Sequence, residues 1–525
     1  MSLTSTFKSH GRIVLSAGAA LALVATAGPR VATQEPGVRL TPIGTYETRI
    51  YDAGASEIVE YDPETKRLFV VNARAAGVDV LDATDPARPT KIAFLDASAL
   101  GGVVNSVDVS RGILGVAIEA TVKTNPGKAA FYRTSTLALL GSVPTGAQPD
   151  MITFTPDGLF ALTANEGEPN DAYTIDPEGS VTIIDLGRQT AATVGFTAAN
   201  GQEAALRAAG VRIFGPGATA AKDFEPEYIA VDPNGRYAYV VLQENNAIAV
   251  LDLTTQAFTR IMPLGYKDHM RAGNGLDPND RDQTISIQNW PVYGMYQPDG
   301  IAAYTANGRT YLVTANEGDS RDYGGFSEEA RVSSLNLDPT AFPNAAFLKA
   351  NGRLTVTTTL GDTDGDGDYD KLYAFGGRSF SIWDTSGNLV WDSGDAIERI
   401  TAARYPANFN AGNTNNTFED RSDNKGPEPE GVAIGVVDGR TYAFIGLERM
   451  GGVMTWDVSD PHHPVFVDYV NNRNFSGSPT AFTAGDLGPE GVAFIPGPLS
   501  PNRVPMLIVG NEISGTTTLY NVNPR

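Results

Sequence analysis

The feature that most constrains this chain is an internal repeat. Residues 227–242 read Glu-Tyr-Ile-Ala-Val-Asp-Pro-Asn-Gly-Arg-Tyr-Ala-Tyr-Val-Val-Leu, and residues 150–164 read Asp-Met-Ile-Thr-Phe-Thr-Pro-Asp-Gly-Leu-Phe-Ala-Leu-Thr-Ala. Each is an acid, an alternating apolar run, a tight turn and a second apolar run, the pattern of two antiparallel strands. Similar units start at Glu57, Asp108, Asp299, Glu430 and Glu490, which makes seven. A third run follows each unit, often ending in Asp, as at Asp82, Asp185, Asp252, Asp384 and Asp457. A short turn then leads to a fourth run. The last unit has no fourth run after it, and the spare one lies at Leu40–Thr48. The expectation is an all-β, seven-bladed β-propeller spanning residues 40–525, closed without a free edge by that N-terminal strand. Helical periodicity is nearly absent; one short helix is expected over residues 202–209.

The surplus length is uneven. Without the first 27 residues the units average about 71 residues, against roughly 40–50 for a compact blade. The turns between first and second strands, and between third and fourth, are short. The long segments are 167–179, 200–226, 265–298, 318–371, 394–429 and 471–489, and antiparallel pairing loads them all onto one face, where function concentrates. Two rows of acids fall on that face. One opens the first strands: Glu57, Asp108, Asp150, Glu227, Asp299, Glu430 and Glu490. The other closes the second strands: Glu119, Glu166, Glu244, Glu317, Glu448 and Glu512, with Asn72 in the remaining unit. Thirteen carboxylates around one channel mouth repel one another and suit hard dications, calcium above all, with more than one ion or another divalent metal possible. The same acids can instead accept backbone N–H bonds between blades.

A second acidic feature is Asp362-Thr-Asp364-Gly-Asp366-Gly-Asp368-Tyr-Asp370, which alternates carboxylates as calcium loops do, with Gly367 at the sixth position. Tyr373 stands at the twelfth position, so this is not an EF-hand. The other reading is a solvated acidic turn.

Composition narrows the partners. The 525 residues carry 39 Lys+Arg and 61 Asp+Glu, a net charge of −22, which excludes nucleic acid and anionic membranes as bulk-electrostatic partners. There is no cysteine, hence no disulfide, thiol nucleophile or Cys–zinc site. Lys8 and Arg12 precede an apolar run over 13–24 and Ala25-Thr-Ala27, the form of a signal peptide over residues 1–27. Its removal takes the charge from −22 to −24 and sends the protein to the periplasm or outside the cell. Residues 28–39 read as a linker, and no membrane anchor is expected.

Serine-hydrolase, zinc-protease and nucleotide-loop motifs are missing. His462-His463 fall in a turn on the plain face, whereas His269 lies on the loop-rich face. Lys222, Lys425 and Arg321 stand beside acids of the two rows, a setting that suits an anion shared between metal and protein, or ordinary ion pairing.

Asn165-Glu-Gly-Glu-Pro-Asn-Asp171, Gly273-Asn-Gly-Leu-Asp-Pro-Asn-Asp-Arg-Asp282, Asn289-Trp-Pro-Val-Tyr-Gly-Met-Tyr-Gln-Pro-Asp-Gly300, Asn316-Glu-Gly-Asp-Ser-Arg321, Tyr373-Ala-Phe-Gly-Gly-Arg-Ser-Phe-Ser-Ile-Trp-Asp384 and Lys425-Gly-Pro-Glu-Pro-Glu-Gly431 resemble the choice-of-anchor I domain. That family includes atypical bacterial alkaline phosphatases and echinoderm mesenchyme-specific biomineralisation glycoproteins. The Glu-Pro-Glu-Gly element is also similar to one in calcium-dependent propeller phytases. The resemblance implies a secreted, calcium-dependent phosphoester hydrolase acting on a small phosphorylated substrate; the placement of Lys425, Arg321, Lys222 and His269 on the loop-rich face makes them the candidate phosphate contacts. Two other readings stand beside it: a non-catalytic calcium-binding propeller for adhesion, mineral handling or partner binding, and a lactonase-like propeller hydrolase.

Overall fold

The computed structural model describes residues 37–525. The signal-peptide reading over 1–27, and all but the last three residues of the expected linker, lie outside them. Among the described residues the chain forms seven four-stranded sheets of antiparallel strands. Their first strands begin at Val59, Val104, Pro149, Pro226, Ile301, Pro429 and Pro489. In the seventh sheet the outer strand is Val38–Glu47, paired antiparallel with Thr516–Pro524. It starts two residues earlier than the sequence suggested.

Local chemistry explains why these segments become sheets. The second and third strands are buried on both faces and read as near-continuous apolar runs, such as Tyr237–Leu242 and Ala247–Asp252. The Asp that closes a third strand makes the next turn: Asp82, Asp252, Asp384 and Asp457 each accept the backbone N–H two residues on, at 2.8–3.0 Å. An Asn that closes the second strand locks its register. Asn165 donates to Ser180 and Thr182, and Asn316 donates to Ser379 and Ser381. All are buried and satisfied, so slippage would strand polar groups.

Seven apolar clusters hold the sheets face to face, each shared by two consecutive sheets. Val71 and Val80 meet Val107 and Leu114; Ala117 and Phe131 meet Ile152 and Ile184; Leu162 and Ile183 meet Val240. Tyr239 meets Leu312 and Trp383, Phe380 meets Trp456, and Phe444 meets Val509. The seventh cluster joins Ile508 and Leu519 to Leu68 and Leu81 of the first sheet. This is a β-propeller arrangement, with stability spread over equivalent interfaces.

The long loops carry structure of their own. Segments 265–298 and 318–374 build a further, five-stranded sheet around Trp290, Val332, Leu348 and Val356. The aromatic stretch 288–296 is packed, with Trp290 and Tyr296 buried. A helix covers Glu203–Ala209 and stops at Gly210, whose φ of 102° only glycine accepts readily. No helix of the described residues is long and apolar enough to cross a membrane.

Candidate metal site at the centre of the sheets

A narrow cavity of about 60 Å³ is lined by residues from the starts of all seven first strands, among them Asn105, Asp150, Tyr228, Asp299, Glu430 and Glu490. The sequence explains this convergence. In three units the acid is followed by glycine, and a side chain at Gly300, Gly431 or Gly491 would collide with the carbonyl of Glu430, Glu490 or Glu57 of the next sheet. Glycine therefore lets neighbouring first strands approach and draws their acids together. The residue before the strand-opening proline adopts positive φ at Gln148, Gln297 and Glu428, an uncommon conformation that clusters at functional sites.

Six of the seven strand-opening acids line up. Asp108 does not. Pairing of Ser106 with Ala117 and of Met151 with Ala164 makes Asn105 the counterpart of Asp150. Asp108 lies three residues further along, where its Oδ2 accepts the Phe154 N–H at 2.7 Å. Burial and the neighbouring Asp108 push Glu60 up, and Glu60 occupies the corresponding place in the first sheet. The Asp108 repeat had matched a deeper position of the strand. In the second row, Glu119, Glu166, Glu317, Glu448 and Glu512 directly follow their strands, but Gln243 holds that place in the fourth sheet and Glu244 is one residue beyond.

The row members meet as a group on one side. Carboxylate oxygens of Asp299, Glu317 and Glu430 lie within 4.8 Å of one another, as do those of Glu317, Glu428 and Glu448. Glu428 was absent from both predicted rows; it is the first acid of Glu428-Pro-Glu430. Lys425 is the one predicted phosphate contact in this group. Its Nζ lies 2.6 Å from Glu317 and 3.3 Å from Glu428. Burial opposes its charge, yet Glu317, Glu428 and Asp319 outweigh burial and raise its pKa. Burial likewise opposes ionisation of Glu428, but Lys425, Arg421 and Arg449 hold it down at about 2. Arg421 and Arg449 donate to it at 2.8 and 3.0 Å.

Elsewhere round the ring the acids lack such partners. Burial, then Glu512 and Asp150, push Glu57 up to about 9. Burial and Glu168 push Asp150 up to about 7. Glu166, Glu227, Asp299, Glu430 and Glu490 are raised by burial first and by a neighbouring carboxylate second, respectively Glu168, Glu166, Glu317, Glu448 and Glu57. Glu244 is pushed up to about 8, burial outweighing Arg321. Oε2 of Glu430 and of Glu490 is buried with no hydrogen-bond partner. A donor set of carboxylate oxygens alone, some of them orphaned, fits a hard cation such as calcium.

The other predicted cations sit away from this group. Arg321 is buried and fully engaged, at 2.6 Å from Asp223 and 3.0 Å from Glu225, and stacks on Phe214. It clamps the loops rather than facing an anion. His269 is buried among loops, its Nδ1 2.7 Å from the Asn274 carbonyl. Burial, Lys267 and Arg378 lower its pKa, so it is neutral there. Lys222 is half-buried on the turn Ala220–Asp223, and its charge acts on Asp176. His463 pairs with Asp460 in its exposed turn.

The acidic loop folds tightly. Asp362 accepts from the backbones of Gly365 and Gly367, and Asp370 accepts from Thr363. Asp362, Asp364 and Asp370 form one group within 4.8 Å, and Asp338, Asp368 and Asp370 form another. Asp366 belongs to neither group; its Oδ1 accepts the Asp368 N–H. Asp338 comes from 24 residues upstream of Asp362, beyond what a local motif can reveal.

The sequence matches the choice-of-anchor I domain over residues 57–461. The chain belongs to this family. Two similar proteins are Gigasin-3a of Magallana gigas, 32% identical over 188 residues, and the mesenchyme-specific cell surface glycoprotein of Strongylocentrotus purpuratus, 29% identical over 279 residues. The alignments cover 33% and 46% of this choice-of-anchor I chain, and 64% and 36% of those relatives, so less than two thirds of either relative is spanned. Among solved structures, a hydrazine synthase chain of Kuenenia stuttgartiensis aligns with a TM-score of 0.46 at 13% identity, covering 90% of this chain and 96% of that one. The Cps50 (Swd1) β-propeller domain of Myceliophteria thermophila aligns with a TM-score of 0.44 at 10% identity, covering 91% and 100%.

Proposed function

We propose that this choice-of-anchor I protein is a closed seven-bladed β-propeller, secreted or periplasmic, that binds calcium at its centre through Asp299, Glu317 and Glu430. The observation that carries this reading is the convergence of three carboxylates beside a buried, unpartnered Glu430 oxygen. Glu428 and Glu448 extend the donor set, and the loop group Asp362, Asp364 and Asp370 offers a further calcium position. The name of one relative, a cell surface glycoprotein, supports an extracellular setting. The role that follows is calcium-dependent partner or mineral binding outside the cytoplasm.

A second reading, phosphoester hydrolysis, rests on Lys425. Its ammonium pairs with Glu317, one of those three carboxylates, and with Glu428, so an anion held by the metal would meet a cation there. One experiment separates the two. Calcium binding is followed by calorimetry for the wild type and Glu317→Gln/Glu430→Gln, and p-nitrophenyl phosphate turnover is measured with calcium and with chelator. Loss of a binding site in the double variant, without turnover in the wild type, supports the binding role. Calcium-dependent turnover abolished in the variant supports hydrolysis. Unchanged calcium binding in the double variant overturns both.

A further inference from the structure

Beside the loop 273–282 lies a second cluster of buried acids, assembled from segments distant in sequence. Glu419 is fully buried, and neither of its carboxylate oxygens has a hydrogen-bond partner. Its backbone is fixed: the Glu419 N–H donates to the Phe409 carbonyl at 2.8 Å, and Arg421 N–H donates to Asn410 at 2.8 Å. That pairing brings the 409–410 segment alongside. Asn410 is buried, donates to Glu398 Oε1 and Ser422, and leaves its own Oδ1 unpartnered; Glu398 Oε2 is unpartnered too. Asp277, also buried, and the exposed Asp282 act electrostatically on Glu419. Asp280, next in that loop, is already taken by Arg353.

The balance of donors and acceptors is what matters. Arg378 spends its guanidinium on the Asp277 carbonyl, Glu398 Oε1 and the carbonyls of Ser422 and Asn424. Both oxygens of Asp277 accept backbone N–H groups, from Asn279 and Ser286. Four acceptor oxygens, two on Glu419 and one each on Asn410 and Glu398, are buried with no hydrogen-bond partner, the Gln283 backbone N–H being the one donor that acts on Glu419. Leaving such atoms unsatisfied costs about 1–3 kcal/mol each, more for a charged group. A chain that places orphaned acceptors rather than orphaned donors in one neighbourhood provides for a cation.

We infer that Glu419 is the central ligand of a separate, structural calcium site between the loop 273–282 and the segment 409–424, with Asp277 and Asp282 adding negative charge beside it. It shares no ligand with the group around Glu430. The test is bound calcium per chain, measured by equilibrium dialysis against calcium chloride and elemental analysis. It uses the full chain and the Glu317→Gln/Glu430→Gln variant as two backgrounds. Adding Glu419→Gln should remove one ion per chain in both. An unchanged count in both overturns the site, and would mean that Glu419 is held as the neutral acid. Should Glu419→Gln fail to fold, by near-ultraviolet circular dichroism, Asp282→Asn carries the test. It lies at the exposed edge and should weaken one calcium affinity about tenfold; unchanged affinities overturn the proposal. Failure of the central site leaves this result readable, because the two ligand sets are disjoint.

Discussion

Two arcs of the same ring treat the same charge differently. Round Glu317, Glu428 and Glu448, loop cations intrude: Lys425, Arg421 and Arg449 each pair with Glu428. Round Glu57, Glu490, Asp150 and Glu227, carboxylates face carboxylates, and burial with mutual repulsion raises them all. The repeat generates both arcs equally, because it writes an acid at the same position of successive sheets. The difference comes from the segment 421–428 and from Arg449, which no repeat specifies. One arc carries the protein's own cations beside the proposed calcium ligands; the other leaves its neutralisation to protons.

The largest effect should come from breaking the neutralised arc. Lys425→Met leaves Glu317 and Glu428 buried without their shared cation, and breaking a buried pair typically costs about 3–5 kcal/mol. Chelator-treated Lys425→Met should melt well below the wild type by calorimetry, and calcium should restore more stability to the variant than to the wild type. Equal calcium increments would mean that the two arcs do not share an electrostatic field.

The pH dependence sharpens the comparison. Glu57 at about 9, Glu244 at about 8 and Asp150 at about 7 bind protons in the folded state that the unfolded chain releases near pH 4. Their contribution is fully present below that unfolded value and is lost as pH rises through the folded values. Glu428, held at about 2, works in the opposite sense: its contribution is present above about pH 4.5 and is lost as pH falls towards 2. Without metal, thermal stability should therefore decline between about pH 5 and pH 9, and the increment given by calcium should grow across the same window. A flat profile with chelator would contradict the uncompensated arc.

How much of this was legible in the sequence follows from the same contrast. Repeated elements were readable because successive units restate them: the first-strand acid and, in five of the units, the Asp that turns third strand into fourth. Even the misplaced Asp108 arose there, since an acid three residues deeper in a strand looks the same until pairing fixes the register. The loop partners were not readable. Glu428, Asp338 and Glu419 reach their groups through contacts between segments tens of residues apart, and no periodicity marks them. Arg321 looked like a ligand because it stands among acids; the fold turns it onto Asp223 and Glu225 instead.

A gentler substitution probes the uncompensated arc itself. Glu490→Gln removes one of the repelling carboxylates while keeping its shape. At pH 9, with chelator, it should stabilise the protein by about 1 kcal/mol, the worth of roughly one pKa unit of relieved repulsion. As pH falls and the native Glu490 takes up its proton, the gain should vanish. Destabilisation at pH 9 would show that Glu490 is needed as an acceptor rather than tolerated as a charge.

The smallest effect is expected from Lys222→Ala, and its smallness is informative. Lys222 stands three residues before Glu225-Pro-Glu227, as Lys425 stands three before Glu428-Pro-Glu430, so the two look equivalent in the sequence. The fold separates them. Lys425 is buried against Glu317 and Glu428, whereas Lys222 is half-buried and Arg321 takes its place beside Glu225. A partly exposed lysine outside any buried network changes stability by no more than about 0.5 kcal/mol when truncated. Lys222→Ala should thus leave both the melting temperature and calcium affinity at the wild-type values, measured beside Lys425→Met under the same conditions. A calcium affinity shifted as far as in Lys425→Met would place Lys222 in the same field as the ring, and would remove the asymmetry between its arcs.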